Sequence, residues 1–374
     1  MTKANPYDLK KIVNDEKYAK DNHFKVKKSG ELFLIKYIKS HINSENICSF
    51  GRFRSVITDG KNIISMAPQK SYKFEDFKLK NKKSDCIFQE FIEGTMINCF
   101  YFNKKWIIST RSIIGADCKF NKEGKSFLEM FNEALDYVDF NLNSLDPKFS
   151  YSFVLQHPEN RIVVPFTSPS IYLVEIYFKQ GLDMVPQDIY SDTFQILKKY
   201  FKFPAILYNN SEDWKEIKKQ FENCDYKTLG CIIKNKMTNE RSKIRNNNYE
   251  FVRQLRGNNP KIQYVYYNLR KNRKIGEFLR YFPEYKDEFA KMQQEVHDWT
   301  NNLYQNYRNC FIHKEKQLKE YDFPFRIHMY NLHQYYLKNL KNEGYYIDRR
   351  TVIEHVNDLD PAALMYLINF KKRS

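Results

Sequence analysis

From Cys48 to about Ile176 apolar and polar residues alternate along most of the chain, the period of strands with one buried face. In RSVITDGKNIISM two short apolar runs flank Asp59-Gly60, which predicts a hairpin. CIFQEFIEGTMINCFYFNKKWIISTRSII predicts three strands, turning at Glu93-Gly94 and at Asn103-Lys104. Residues 125–143 carry apolar positions at helical spacing, and YSFVLQHPENRIVVPF and SIYLVEIYF return to strand. Ahead of this region ELFLIKYIK reads as a strand or a buried helical turn. Residues 186–222 read as helical in parts, and TLGCIIKNK and SKIRNNNYEFV as strands. The period changes at the turn cluster Gly257-Asn258-Asn259-Pro260, beyond which the spacing is almost entirely helical. The expected fold is therefore α+β. A first domain, 1–257, of two antiparallel sheets with helices is expected, followed by an all-helical domain, 258–374.

Composition adds a partner class. Lys and Arg number 62 against 45 Asp and Glu, a formal charge of +17, which favours RNA or another polyanion; the competing reading is solubility alone. With 30 Phe and 28 Tyr the chain is too aromatic for disorder. Seven dispersed cysteines without a CxxC predict free thiols in a reducing, cytoplasmic setting. No apolar leader and no apolar run approaching ~18 residues is found, so neither a secretory signal nor a membrane span is expected. Cys310, His313, His328 and His333 loosely resemble a zinc set. However, His328 and His333 would diverge by ~140° on one helix, and no metal site is expected.

Five segments carry a more specific signal. GRFRSVITDGKNIISMAPQKSYKFEDF holds Arg54, and QEFIEGT holds Glu93 and Gly94 ahead of two strands, the second closing on Thr110-Arg111. YSFVLQHPENRIVV holds Phe153, Asn160 and Arg161. TLGCIIKN holds Gly230 and Ile232, and SKIRNNNYEF holds Lys243 and Arg245. In this order they resemble the phage-type ATP-dependent RNA ligases, members of the covalent nucleotidyltransferase superfamily. The resemblance implies an ATP-grasp-like ligase domain and a helical C-terminal domain that helps select RNA. In that family a lysine of K-x-(D/E)-G attacks the α-phosphate of ATP with Mg²⁺ and forms a lysyl-AMP. A second family lysine falls on Lys70 or Lys73, and Ser55 stands after Arg54 where glycine is usual.

The departures fall on the chemistry. Phe91 stands where the resemblance expects the nucleophilic lysine. Val154 stands where it expects the ribose-contacting glutamate, and Leu229 where it expects the metal-binding glutamate. A phenyl ring has no lone pair for phosphorus, and Val and Leu neither bind Mg²⁺ nor accept a hydrogen bond. The implied protein is a catalytically degenerate RNA ligase with Phe91 in its pocket and no cofactor. ATP and Mg²⁺ would return only if a displaced lysine, Lys70 or Lys73, took over.

Arg54, Lys70, Lys73, Arg111, Arg161, Lys243 and Arg245, with Glu93, Gly94 and Asn160, then form either a phosphate-binding remnant or ordinary surface pairs. In YYNLRKNRKIGEFLRYF, Arg270, Lys271, Arg273, Lys274 and Arg280 interleave with aromatics. This pattern suits nucleic acid or, equally, an amphipathic helix with a solvated basic face. Three functions follow: a binding or structural component contacting RNA, within a larger viral or protein assembly; an active ligase; or a scaffold or virion protein without nucleic-acid contact. For a viral protein the expected location is the host cytoplasm or the virion.

Overall fold

The computed structural model describes residues 7–207 and 213–370, and the chain divides into two compact units, Met1–Phe251 and Val252–Ser374. The first unit opens with two short helices, α1 (Leu9–Asn14) and α2 (Glu16–Asp21), capped by the Asp8 and Asp15 carboxylates. Four strands follow, β1 (Phe24–Ser29), β2 (Leu32–Tyr37), β3 (Val56–Thr58) and β4 (Ile63–Met66), which make an antiparallel sheet in that order. The Asp59-Gly60 hairpin joins β3 and β4 as expected.

After α3 (Phe74–Lys80), β5 (Cys86–Glu90) leads to β6 (Thr95–Phe102) and β7 (Lys105–Thr110), and α4 (Phe127–Tyr137) to β8 (Phe149–Gln156), β9 (Ser170–Gln180) and β10 (Asp183–Gln187). The unit closes with α5 (Trp214–Glu222), β11 (Gly230–Asn235), β12 (Arg241–Arg245) and the start of α6 (Asn247–Arg256). The later strands form a five-stranded sheet, β10-β9-β8-β6-β7, and a three-stranded sheet, β12-β11-β5, with every ladder antiparallel. Among the described residues there are thus three sheets where two were expected. The Glu93-Gly94 turn is no hairpin, because β5 pairs with β11 and β6 with β7 and β8; the chain changes sheets there.

Burial explains the layering. α4 starts at a reciprocal Ser126–Glu129 cap and buries Met130, Phe131, Ala134 and Leu135 with Phe153, Leu155 and Leu173 of the five-stranded sheet. It stops at Tyr137, short of the expected 143, and Asp139 takes a left-handed φ of 51° just beyond. Leu32, Leu34 and Ile57 of the first sheet meet Phe100 of the second. Ile217 and Phe221 of α5 and Phe77 of α3 pack with Phe88, Cys231, Ile233 and Ile244 of the third. Lys234 of β11 and Glu175 of β9 form a buried ion pair between the two later sheets. All seven cysteines are free thiols.

Two strand readings fail for local reasons. The run Ile162-Val163-Val164 looks extended in sequence, but the Val163 and Val164 amides are spent on the Glu93 carboxylate, so no ladder forms. NNYEFV is helical. Asn246 accepts the Asn248 amide, donates to Cys224, Asp225 and Thr228 carbonyls, and so starts α6.

The second unit is helical: α7 (Ile262–Lys271), α8 (Ile275–Tyr281), α9 (Lys286–Tyr307), α10 (Phe323–Tyr335), α11 (Arg349–Asn357) and α12 (Pro361–Ile368). The division between units lies within α6, ahead of the Gly257 turn.

Gly230 shows how tightly the third sheet is drawn. Its φ is +135°, and a Cβ there would lie 2.1 Å from the Ile244 carbonyl oxygen, a backbone atom that cannot swing away. Gly230→Ala should destabilise the protein by more than about 1 kcal/mol and lower the melting temperature, measured by circular dichroism. Gly124→Ala, whose new Cβ would sit at ordinary contact distances from Asn121, is the control expected to change little.

Candidate functional site

The site begins where β5 ends. The Phe91 amide donates to the Gly230 carbonyl at 3.2 Å, which fixes the exit of β5 beside the entry of β11. Leu229, buried, lies one residue before, and its carbonyl accepts the Asn246 amide at 3.1 Å. On β12, Lys243 and Arg245 are two residues apart and share a strand face. The Lys243 Nζ lies 5.6 Å and the Arg245 Cζ 5.9 Å from the Phe91 ring centroid. Two segments some 150 residues apart in sequence therefore meet as expected, with the phenyl ring beneath two cations.

Three residues on, Gly94 (φ +144°) brings the chain against β8. A Cβ there would lie 2.4 Å from the Leu155 carbonyl oxygen and 2.7 Å from Val154 Cγ1. Val154 thus meets the same crossover, buried, between Met96 and Tyr172 on the neighbouring strands. Glu93 is a clamp: its carboxylate accepts the Val163 amide at 3.0 Å and the Val164 amide at 3.1 Å. Burial pushes its pKa up, against the amides and the Tyr249 hydroxyl that pull it down. Asn160 donates to Thr95 Oγ1 at 2.9 Å, and Arg161 Nε to the Val163 carbonyl at 2.9 Å, so both brace this loop.

The cations crowd the remaining side. Arg54 donates to the Pro68 carbonyl at 3.2 Å, and burial, then Arg241 and Arg111, lower its pKa to about 10. Lys70 is half-buried, and its pKa is lowered by burial and by Arg54, Lys39 and Arg245. Lys243 is brought down to about 7 by burial and by Arg245, Lys70, Arg54 and Arg241. Against these stands Glu250, which pairs with Arg245. Lys70, Arg241 and Lys243 make no ion pair among the described residues, and the buried Arg241 Nε has no hydrogen-bond partner there. The geometry separates Lys70 from Lys73: the first joins the cluster, while Lys73 is exposed at the start of α3. Arg241, at the head of the alternation Arg241-x-Lys243-x-Arg245, was not anticipated, although period two along RSKIR puts all three on one face.

Other candidates sit elsewhere. Arg270, Lys271, Arg273 and Lys274 lie at the end of α7 and in the turn after it, but Tyr266, Tyr267 and Phe278 are buried and offer no face for a base. Lys271 donates to the Asp358 carbonyl at 3.1 Å. His328 turns to His355 at 2.9 Å and His333 stacks on Phe311, so those two rings part.

No family model matches this sequence. A protein of Invertebrate iridescent virus 3 described as an "Immediate-early protein ICP-46 homolog" is 28% identical over 271 residues, 67% of this chain and 57% of its own. An "RNA ligase" of Rhodothermus phage RM378 is 28% identical over 135 residues, 32% of this chain and 30% of the phage protein. Over about a third of its length the chain is thus similar in sequence to an RNA ligase. It spans a little over half the length of the iridescent-virus relative. Among solved structures an archaeal ATP-dependent RNA ligase aligns over 96% of this chain and 78% of that one, at 11% identity and a TM-score of 0.41. No helix among the described residues of the RNA ligase-like chain is long and apolar enough to cross a membrane.

Lys243 yields a sign-defined prediction. Its folded pKa, about 7, lies below the ordinary lysine value of 10.5, so between these limits the unfolded chain binds more protons. The amine therefore lowers stability most below pH 7, and this penalty fades as pH rises towards 10.5. Lys243→Met should raise the melting temperature at pH 6, and the gain should shrink at pH 10, measured by thermal unfolding across pH.

Proposed function

We propose that this RNA ligase-like chain binds a phosphorylated ligand, RNA foremost, in the Phe91–Lys243 cleft without forming a lysyl-nucleotide. The observation that carries the reading is the pairing of retained cations with a phenyl ring. Arg54, Lys70, Arg241, Lys243 and Arg245 are near enough to act on one another's charges, with one carboxylate pair among them, and Phe91, where the resemblance expects the nucleophile, lies beneath two of them. Phosphate oxygens would satisfy those cations by charge-assisted hydrogen bonds. The phosphate part of ATP thus fits the residues present. The metal-assisted part does not, because the Leu229 side chain carries no atom that ligates Mg²⁺ and the Val154 side chain none that accepts a ribose hydroxyl. Binding then replaces transfer as the use of the fold, as a component contacting RNA or another polyanion. No bound cofactor is required.

A second reading has one observation behind it. A lysine held near pH 7 is partly neutral, and a neutral amine beside phosphate-binding cations is a nucleophile. Lys243, ahead of Lys70 and Lys73, is therefore the amine to test. Its Nζ–P bond would form as the α–β phosphoanhydride bond breaks, pyrophosphate leaves and the amine gives up a proton.

Intact-mass spectrometry after incubation with ATP and Mg²⁺ separates the two. The wild type should show no added mass, and Phe91→Lys alone should show none either, since an amine without charge neutralisation of the triphosphate does not complete transfer. The triple change Phe91→Lys, Val154→Glu and Leu229→Glu should give the largest adduct yield. A gain of one AMP on the wild type, lost in Lys243→Met, would establish the second reading instead.

A further inference from the structure

Outside the cleft, the first unit carries a second group of cations on a different sheet. β1 and β2 pair so that Lys25 stands directly opposite Lys36. Lys27, two residues from Lys25, lies on the same face. Opposed like charges weaken an antiparallel pair. Lys36 Nζ donates to Ser112 Oγ at 2.6 Å, and Lys27 Nζ reaches the Ser112 carbonyl at 3.4 Å. These contacts draw both lysines to the turn that carries the exposed Arg111. Among the described residues none of Lys25, Lys27, Lys36 or Arg111 has an ion pair, and Asp117 of the same loop makes none with them. Burial, then Arg111, Lys27 and Lys25, depress the Lys36 pKa.

Edge-strand lysines commonly protect a sheet from pairing with another chain, which accounts for Lys25 and Lys27 on β1. It does not account for Lys36, on an inner strand, or for Arg111, which arrives from the five-stranded sheet. The charges of the two groups also reach a common residue: Arg111 and Arg241 both lower the Arg54 pKa, and Arg241 also lowers that of Lys243.

We infer that the β1–β2 hairpin and the Arg111 turn form a second phosphate-contacting surface, along which a nucleic-acid strand seated in the Phe91–Lys243 cleft continues over Lys36, Lys27 and Lys25. The inference rests on the reading of the cleft given above. Lys25 and Lys27 lie ~6.8 Å apart along one face of the strand, a spacing of the same order as successive phosphates of an extended strand. The contacts are to phosphate, so the surface takes a strand without reading its sequence.

Fluorescence anisotropy with a labelled single-stranded RNA, titrated over a range of salt concentrations, tests this on the full chain. For Lys25→Gln/Lys27→Gln the salt slope of log K should fall by about 1.4, since each phosphate contact to a single strand contributes about 0.7. Lys25→Arg/Lys27→Arg should keep the wild-type slope, and the same loss with single-stranded DNA supports the contact's phosphate nature. An unchanged slope in the Gln variant, with binding weakened by Lys243→Met, would overturn the second surface and leave the cleft reading standing. Absence of RNA binding by the wild type at low salt would overturn both. Loss of binding to polyglutamate but not to RNA would reassign the surface to an acidic protein and overturn the inference.

Discussion

The Glu93-Gly94 crossover is the constraint on which the site depends. At this point the chain leaves the three-stranded sheet and enters the five-stranded one, so both sheets are positioned by two residues. Gly94 is there because any Cβ would strike the Leu155 carbonyl at 2.4 Å. Glu93 is there because the 160–164 loop has amides with no strand to pair with. A buried carboxylate is costly to desolvate, and the Val163 and Val164 amides offset that cost. Gly230 repeats the device on the third sheet, its missing Cβ letting β11 close on Ile244. Between these two glycines Phe91 has one place to go, out of β5 and under β12.

What stands over Phe91 is electrostatically unfavourable. Lys243 and Arg245 both lie over the Phe91 ring, an interaction of about 0.5–2 kcal/mol for each cation at best. That offsets part of the repulsion among Arg54, Lys70, Arg241 and Lys243 but does not neutralise them. The lowered pKa values of Arg54, Lys70 and Lys243 express the same imbalance from the side of the protons. The apolar layers beneath supply the stability that holds the cluster together: Ile217, Phe221, Phe77 and Phe88 around the third sheet, and Phe131, Phe153 and Leu173 around the second.

The motif order along the chain was legible because each segment includes part of a strand, and antiparallel strands with one buried face are read by period two. Phe91, Lys243 and Arg245 could be assigned to one site only through the resemblance. The sheet count could not, because a Glu-Gly turn between two strands looks the same whether the strands pair or part. Val163 and Val164 have strand propensity, and a side chain seventy residues upstream overrides it. β1 escaped notice because FKVKKS buries Phe24 and leaves four of its six positions to solvent. The choice between Lys70 and Lys73 turned on burial, which sequence does not report. The tail's basic-aromatic pattern was ambiguous in sequence, and the fold places its aromatics inside.

The losses and retentions in the cleft are not random with respect to charge. The positions where the resemblance expects a nucleophile, a ribose contact and a metal ligand are apolar: Phe91, Val154 and Leu229. The positions where a phosphate would lie are cationic, and they stay cationic at a stability cost that a neutral substitution at Lys70 or Lys243 would remove. Lys243 is desolvated among like charges, which lowers its pKa to about 7, and an anion placed there would relieve that repulsion. Apolar side chains at Phe91, Val154 and Leu229 beside cations that carboxylates leave largely unpaired are the arrangement on which the proposed binding function rests.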